Sequence, residues 1–282
     1  MILAASANGY EAAVTLFEGT LGPIPTIPEP VRIARVNIAL GEEERSHLYE
    51  AIPKRHTHRG AYVANQALSQ ESIRAIHQLA ASEAEVAVFL FTSEADKVMF
   101  SNAVVRATET IISDATMVKD SERWFRHSWA DIQKYRDGPT LDTAGLPRLR
   151  TTIAKMLPPT SAETNHRFWL EATRDVHVVT ASMFGLIAVR KLYDRAQTLR
   201  AGRVWQRIHL WATSQGIAMQ PLNQPIERVD RERELNKSPH AAQVLANLTR
   251  DPSWQPTFAF RAGYPEREAL PSPRRAVEQV LH

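Results

Sequence analysis

The clearest pattern of apolar and polar positions in the chain is a helical one between Asp194 and Gln215. Val204, Ile208 and Trp211 recur there on one helix face, and Gly216 follows as a C-terminal cap. We expect this face to be almost completely buried. Further helices are predicted over residues 42–55, from an N-cap at Ser69 to about Ser82, from an N-cap at Ser93 through Ile112, around Trp124–Ile132, and after Ser238–Pro239.

Short apolar runs predict strands between these helices. Val86–Phe91 is continuously apolar, which is typical of a central strand buried on both faces. Further strands are predicted over residues 10–17, 31–40, 176–180 and 258–262, and a loop over the proline-rich residues 19–30. Because helices and strands mix without a repeating βαβ rhythm, the predicted fold class is α+β.

The composition excludes several kinds of chemistry and partner. The 282 residues include no cysteine, which excludes disulfides, thiolate metal sites and cysteine nucleophiles. No apolar run approaches the roughly 18 residues of a membrane span, so no membrane partner is predicted. No dense basic run is interleaved with aromatic residues, so no nucleic-acid partner is predicted either. We predict a cytoplasmic location, although the absence of cysteine fits an exported protein equally well.

The basic residues are mostly arginine. The net charge is only +3, but 27 of the 34 basic residues are arginine and 7 are lysine. The arginine fork matches carboxylate and phosphate groups, which favours an anionic ligand. A composition bias of the source genome is the alternative interpretation.

A basic cluster, Lys-Arg-His-Thr-His-Arg, occupies residues 54–59. Its Arg55, Thr57 and Arg59 offer two fork donors and a hydroxyl within five residues, which suits a phosphate. The charges could instead complement the C-terminal end of the predicted helix 42–55. His56 and His58 could form half of a metal site, but the sequence offers no matching second half, and no metal is predicted.

A second basic pair, Arg274–Arg275, follows two prolines near the end of the chain. The prolines stiffen the approach to the pair, which suits placing both arginines against a fixed target. The alternative is a solvated C-terminal tail. The common motifs for dinucleotide binding, nucleotide hydrolysis, serine esterase chemistry and zinc proteolysis are all absent.

Taken together, these motifs resemble the nitroreductase family of FMN flavoproteins, and most closely its Acg-like branch. The motifs that carry the resemblance occur in order: Arg-His-Thr-x-Arg at 55–59, Asp-Gly-Pro at 137–139, Gly-Ile-Ala at 216–218, Gly-Tyr-Pro at 263–265 and Pro-Arg-Arg at 273–275. The resemblance covers residues 45–282, which it implies are an FMN-binding domain, whereas residues 1–44 resemble the remnant of a preceding half. It implies a nitroreductase-like fold, with an antiparallel-rich central sheet flanked by helices.

The resemblance also implies which residues hold the cofactor FMN. Arg55, Thr57 and the Arg274–Arg275 pair would bind the phosphate, with His56 in the same motif, and Arg59 would reach the ribityl chain or the polar edge of the ring. The segment Ala218, Met219, Gln220, Pro221 and Leu222 would line the ring. No catalytic side chain is predicted, because the flavin itself carries the redox chemistry.

The implied function is an FMN-dependent NAD(P)H oxidoreductase that reduces nitroaromatic, quinone or similar small-molecule acceptors. One departure favours an alternative, a non-catalytic flavin-binding or flavin-sequestering protein. The family uses an Ala-Pro-Ser-x-x-Asn-x-Gln-Pro-Trp stretch near the flavin, and nothing in this sequence matches it. A flavin-free structural partner is the third interpretation.

The N-terminus suggests a further expectation. Met1–Ala5 resembles the end of a helix closed by Asn8–Gly9, which suggests a truncated or late-starting chain. A shortened first half would leave apolar surface uncovered, so we also expect a homodimer.

Trp124 and Trp129 are predicted to pack in the core, with a role in lining a substrate pocket as the alternative.

Overall fold

The computed structural model describes residues 1–22, 31–156 and 160–281. Its strands are β1 (Tyr10–Leu16), β2 (Ala34–Leu40), β3 (Val86–Phe91), β4 (Met183–Val189), β5 (Ala218–Pro221) and β6 (Gln255–Gly263). Its helices are α1 (Ile2–Ser6), α2 (His47–Ala51), α3 (Gln70–Ala81), α4 (Glu94–Ile112), α5 (Ala115–Glu122), α6 (Trp129–Tyr135), α7 (Arg148–Met156), α8 (Ala162–Ala172), α9 (Arg195–Ser214), α10 (Gln224–Glu234) and α11 (His240–Thr249).

The main sheet has four strands in the order β3-β4-β6-β5, and every neighbouring pair is antiparallel. Every residue of β4 is buried, and Gly185 in this strand faces Phe260 of β6. A Cβ at Gly185 would lie 2.2 Å from the Phe260 ring, so this close approach requires glycine. Side chains of β4 point alternately to the two faces of the sheet and enter two different apolar clusters. Helices cover both faces.

The two apolar clusters define three layers. On one face, α9 and α3 pack against Met183 and Ile187 of β4. On the other face, α4, α10 and α11 pack against Phe184 and Leu186. The protein is therefore α+β, with a central antiparallel sheet between helical layers, as the sequence predicted.

The long helix α9 runs through the centre of one layer. The Asp194 side chain caps it by accepting from the Gln197 N–H at 2.9 Å, and Gly216 follows at a φ of +69°. Val204 and Ile208 are completely buried, as predicted. Trp211 is only partly buried against the same cluster, so the predicted helix face is not completely free of solvent.

The capped helices α3 and α4 begin after Ser69 and Ser93 as predicted. The buried face of α4 carries Phe100, Val104 and Ile111, however, whereas Val98 is 57% exposed. The helix predicted after Ser238–Pro239 also forms, and it begins at His240.

Four sequence predictions of secondary structure are wrong or too broad. The predicted central strand β3 lies at an edge, and the central strand β4 was missed. Residues 176–180 are no strand, because Thr173–His177 form a π-helical turn that continues α8. The predicted helix over 42–55 shrinks to His47–Ala51, since Ser46 caps it late and Pro53 cannot extend it. The helix predicted around Trp124–Ile132 starts only at Trp129.

The prediction that Trp124 and Trp129 pack in the core is wrong. Their exposed fractions are 54% and 74%. Ser128 caps α6 through the Asp131 N–H at 3.0 Å, and this cap separates Trp124 from the helix.

The N-terminal residues form a separate two-stranded antiparallel sheet of β1 and β2, after the short helix α1. Two backbone hydrogen bonds attach this part to the start of α9: Leu21 N–H donates to Tyr193 at 2.8 Å, and Arg195 N–H donates to Gly19 at 2.9 Å. Most of the predicted loop 19–30 falls on residues 23–30, outside the described residues. In the described part of the chain, every helix is too short or too polar to cross a membrane.

Candidate active site

The basic cluster and the late basic pair meet in space. Arg274 Nη2 donates to the backbone carbonyl of Arg55 at 3.0 Å, across 219 positions of sequence. Burial, together with the positive charge of Arg274, lowers the pKa of the half-buried Arg55. Among residues 1–22, 31–156 and 160–281, no carboxylate forms an ion pair with either guanidinium. The half-buried Arg55 and the exposed Arg274 therefore have no ion-pair partner among these residues.

Arg275 has a different partner. Its Nη2 donates to Asp137, and Arg126 binds the other oxygen of this carboxylate at 2.7 Å. Burial alone would raise the pKa of Asp137, but the hydrogen bonds from Arg275 and Arg126 lower it. The two adjacent arginines thus have different partners: Arg274 contacts the basic cluster, and Arg275 contacts the Asp-Gly-Pro turn at 137–139.

Arg59 supplies a third cation to this region. Its Nη1 is buried and has no hydrogen-bond partner among the described residues. Burial lowers its pKa. The Thr57 side chain is half-buried, and the His56 Nδ1 lies 2.8 Å from the carbonyl of Lys54.

The segment from Ala218 to Leu222 lies directly beside this cluster. The His58 N–H donates to the Met219 carbonyl at 3.1 Å, so the basic cluster contacts β5 at this point. Met219, Gln220 and Leu222 are buried, whereas Ala218 and Pro221 are half-buried. The structure therefore brings the two predicted cofactor-binding segments together with Arg274.

Arg261 on β6 joins these segments, although sequence analysis did not single it out. It is completely buried, and its guanidinium donates to the Gly60 carbonyl at 2.7 Å and to Gln220 Oε1 at 2.7 Å. It also donates to the His177 carbonyl at 3.1 Å and lies 3.9 Å from the centre of the Tyr62 ring. An arginine inside the apolar run Phe-Ala-Phe-Arg-Ala was the signal that could have found it.

A cavity of about 720 Å³ adjoins the basic cluster on the side of His58 and Gly60. Its other walls come from Ala61, from the loop before α7 and the first turns of α7, from Val176 and from residues 266–270. The His58 Nε2 donates to the Arg267 carbonyl at 2.7 Å, which leaves its buried Nδ1 as an acceptor without a partner in the described structure. Burial lowers the pKa of His58. Arg55, Arg59 and residues 218–222 do not line this cavity.

The described residues include no group of three or more His, Asp or Glu side chains that could hold a metal ion. The chemistry that the region offers is recognition of an anion. The half-buried Arg55 and Arg59, the Thr57 hydroxyl and the exposed Arg274 lie in or next to the basic cluster, and the neighbouring segment presents apolar side chains and backbone groups.

Known proteins resemble this chain in structure but not detectably in sequence. No protein-family model and no curated protein matches it. One similar structure is the FMN-dependent nitroreductase NfnB from Mycobacterium smegmatis in complex with NADPH, with a TM-score of 0.51 and 14% identity over 84% of this chain and 97% of that chain. Another is the FMN and NADPH-dependent nitroreductase NfnB from Sphigopyxis sp. strain HMH, with a TM-score of 0.51 and 13% identity over 83% and 97% of the two chains. The predicted nitroreductase-like fold is confirmed.

Proposed function

We propose that the protein is an FMN-dependent NAD(P)H oxidoreductase of the nitroreductase type, from the Acg-like branch, that reduces nitroaromatic, quinone or similar acceptors. One observation carries the proposal. The Arg274 guanidinium contacts the Arg55 backbone across 219 positions of sequence, and neither guanidinium has a carboxylate partner in the described structure. Holding two cations together costs free energy, which a bound phosphate would offset.

The residues present fit the phosphate end of FMN. Arg55, His56, Thr57, Arg274 and Arg275 would hold the phosphate, and the unpartnered Nη1 of Arg59 is a spare donor for the ribityl chain or the ring edge. Arg275 has five N–H donors, so its contact with Asp137 leaves others for a ligand. Ala218–Leu222 would line the ring with apolar side chains and backbone groups.

Bound FMN would supply the redox chemistry, the transfer of hydride and electrons between a nicotinamide and the acceptor. The chain's own residues bind and orient the cofactor and exclude water. Met219 and Leu222, both completely buried, supply an apolar wall beside the arginines. The similar structures support the proposed ligands, because one is an FMN-dependent nitroreductase in complex with NADPH and the other is an FMN and NADPH-dependent nitroreductase. We further propose that residues 45–282 form the FMN-binding domain and that the protein is cytoplasmic.

A second candidate function is flavin binding without turnover. It is favoured by the lack of any Ala-Pro-Ser-x-x-Asn-x-Gln-Pro-Trp stretch in the sequence. Both functions require a bound flavin, so absorbance between 300 and 550 nm (the flavin range) tests them together. Steady-state oxidation of NADH and NADPH with a nitroaromatic acceptor distinguishes them, because only the oxidoreductase consumes nicotinamide beyond one equivalent of flavin.

The arginines are tested by titration of FMN and of riboflavin, which lacks the phosphate. Arg55→Ala, Arg274→Ala and Arg275→Ala should each weaken FMN binding roughly ten- to a hundredfold, since a charge-assisted hydrogen bond contributes about 1.5–3 kcal/mol. Riboflavin affinity should not change in these variants.

The matched control is Arg106→Ala, because Arg106 is an exposed arginine on α4 far from these contacts in sequence and has no ion pair among the described residues. Its FMN affinity should equal that of the wild type. Equal FMN affinity in wild type and Arg55→Ala would remove the main support for the proposed function.

A further inference from the structure

His209 lies in the middle of α9, 153 positions away from the basic cluster in sequence, and it contacts that cluster twice. Its Nδ1 lies 3.4 Å from Arg55 Nη1, and its Nε2 lies 3.2 Å from the backbone carbonyl of His56. His209 is only 1% exposed, and the Trp205 ring packs against its ring at 4.9 Å between centroids. None of the sequence motifs includes this residue.

The partners determine the protonation of the ring. A backbone carbonyl can only accept a hydrogen bond, so Nε2 must carry the hydrogen. A guanidinium can only donate, so Nδ1 must offer its lone pair to Arg55. Both contacts are satisfied at once only by the neutral imidazole with its hydrogen on Nε2. Burial, with the charge of Arg55 as the next cause, lowers the pKa of His209 to about 3, which agrees with a neutral ring.

We infer that His209 is a positioning residue that orients the Arg55 guanidinium and the His56 backbone for phosphate binding. This inference rests on the proposed function. A neutral acceptor is suited to the task, because it fixes the direction of Arg55 without cancelling its charge. A carboxylate in the same place would form an ion pair with Arg55 and compete with the phosphate.

The test compares FMN and riboflavin affinities in His209→Leu and His209→Gln. His209→Leu removes both hydrogen bonds and should weaken FMN about three- to tenfold, the effect of one ordinary hydrogen bond. Riboflavin affinity should differ by no more than about twofold between wild type and His209→Leu, because riboflavin has no phosphate for Arg55 to bind. His209→Gln retains an acceptor and a donor, and should recover most of the FMN affinity.

A double-mutant cycle separates positioning from general destabilisation. In the Arg55→Ala background, His209→Leu should have no further effect on FMN, because there is no guanidinium left to orient. His77→Leu is the matched control: His77 is an exposed histidine on α3, and this change should leave both affinities unchanged.

The tautomer is measured independently of any flavin. Long-range proton–nitrogen NMR of the wild-type protein should show the His209 hydrogen on Nε2 throughout the range from pH 5 to pH 8. A hydrogen on Nδ1, an equal loss of FMN and riboflavin affinity in His209→Leu, or full additivity with Arg55→Ala would each overturn the positioning role. A wild-type protein that binds no FMN would instead contradict the proposed function, while the NMR measurement would still test the geometry.

Discussion

Arg261 is a buried arginine whose hydrogen-bond and ring partners in the described structure are all neutral. It is completely buried, and its hydrogen bonds end on two backbone carbonyls, the Gln220 amide oxygen and the Thr180 hydroxyl. The ring of Tyr62 lies against it, and burial raises the pKa of this tyrosine to about 12. Arg261 thereby connects Gly60, beside the basic cluster, to Gln220 on β5. These contacts fix the position of the basic cluster relative to β5.

We predict that Arg261→Met lowers the free energy of unfolding by about 3 kcal/mol or more. Each buried acceptor that loses its donor costs about 1–3 kcal/mol, and this change leaves several such acceptors. Urea denaturation measures the difference. Arg106→Met, at an exposed helical position, should change the free energy by less than about 0.5 kcal/mol. An effect of Arg261→Met as small as that of the control would contradict the structural role.

Among the helices, the junction of α5 and α10 depends on one carboxylate. Asp114 caps α5 by accepting from the Thr116 and Met117 N–H groups at 3.1 and 3.3 Å. The same carboxylate accepts from Arg231 of α10 at 2.7 and 3.0 Å. The hydrogen bonds from Arg231 are the main cause that lowers the pKa of Asp114. One side chain thus fixes the start of one helix and its contact with another.

This arrangement predicts a pH-dependent difference between the wild type and Asp114→Asn. The pKa of Asp114 is lower in the folded protein than in the unfolded chain, so its stabilisation is complete above the unfolded pKa of about 3.9. It is lost as the pH falls through the folded pKa. The wild type should therefore unfold at a higher urea concentration than Asp114→Asn at pH 7, and the two midpoints should converge below about pH 4.

Asp120→Asn on the exposed side of α5 is the control for this experiment. It should leave the urea midpoint unchanged at both pH values. A difference between wild type and Asp114→Asn that persists undiminished at acidic pH would show that the lost ion pair is not its cause.

At the scale of the whole molecule, an apolar stripe lies exposed on α7. Leu149, Ile153 and Met156 follow helical spacing, with exposed fractions of 72%, 49% and 81%. Trp129 on α6 is also 74% exposed. Exposed apolar residues that lie on one helix face often mark a protein–protein contact.

We predict that the protein is a homodimer and that this stripe takes part in the contact. Light scattering at high micromolar concentration should give twice the chain mass for the wild type. Leu149→Glu combined with Met156→Glu should shift the protein to a monomer, because charges would replace the apolar contact. Val98→Glu, at an exposed apolar position of α4, should leave the dimer intact. A wild type that is strictly monomeric would refute the prediction.

Local sequence determined the capped helices and the edge strand β3. Ser69, Ser93 and Asp194 each accept a hydrogen bond from the first turn of the helix that follows, so capping and helical periodicity were sufficient to locate α3, α4 and α9. The motifs at 55–59, 218–222 and 274–275 were also visible, because each is a short, continuous stretch. That these three segments lie close together in the folded protein was expected only from the resemblance to a family.

Tertiary structure decided where strands lie in the sheet and which residues complete the site. Apolar runs such as Val86–Phe91 and Met183–Val189 look alike in sequence, and only strand pairing makes the first an edge and the second the centre. Residues 176–180 are mostly β-branched, but Thr173–His177 form a helical turn, and Arg261 binds the His177 carbonyl and the Thr180 hydroxyl. His209 and the Arg275–Asp137 pair were equally hidden, because their partners lie 138 to 154 positions away. Contacts at such separations leave no local pattern, since they depend on how helices and strands pack and not on the order of neighbouring residues.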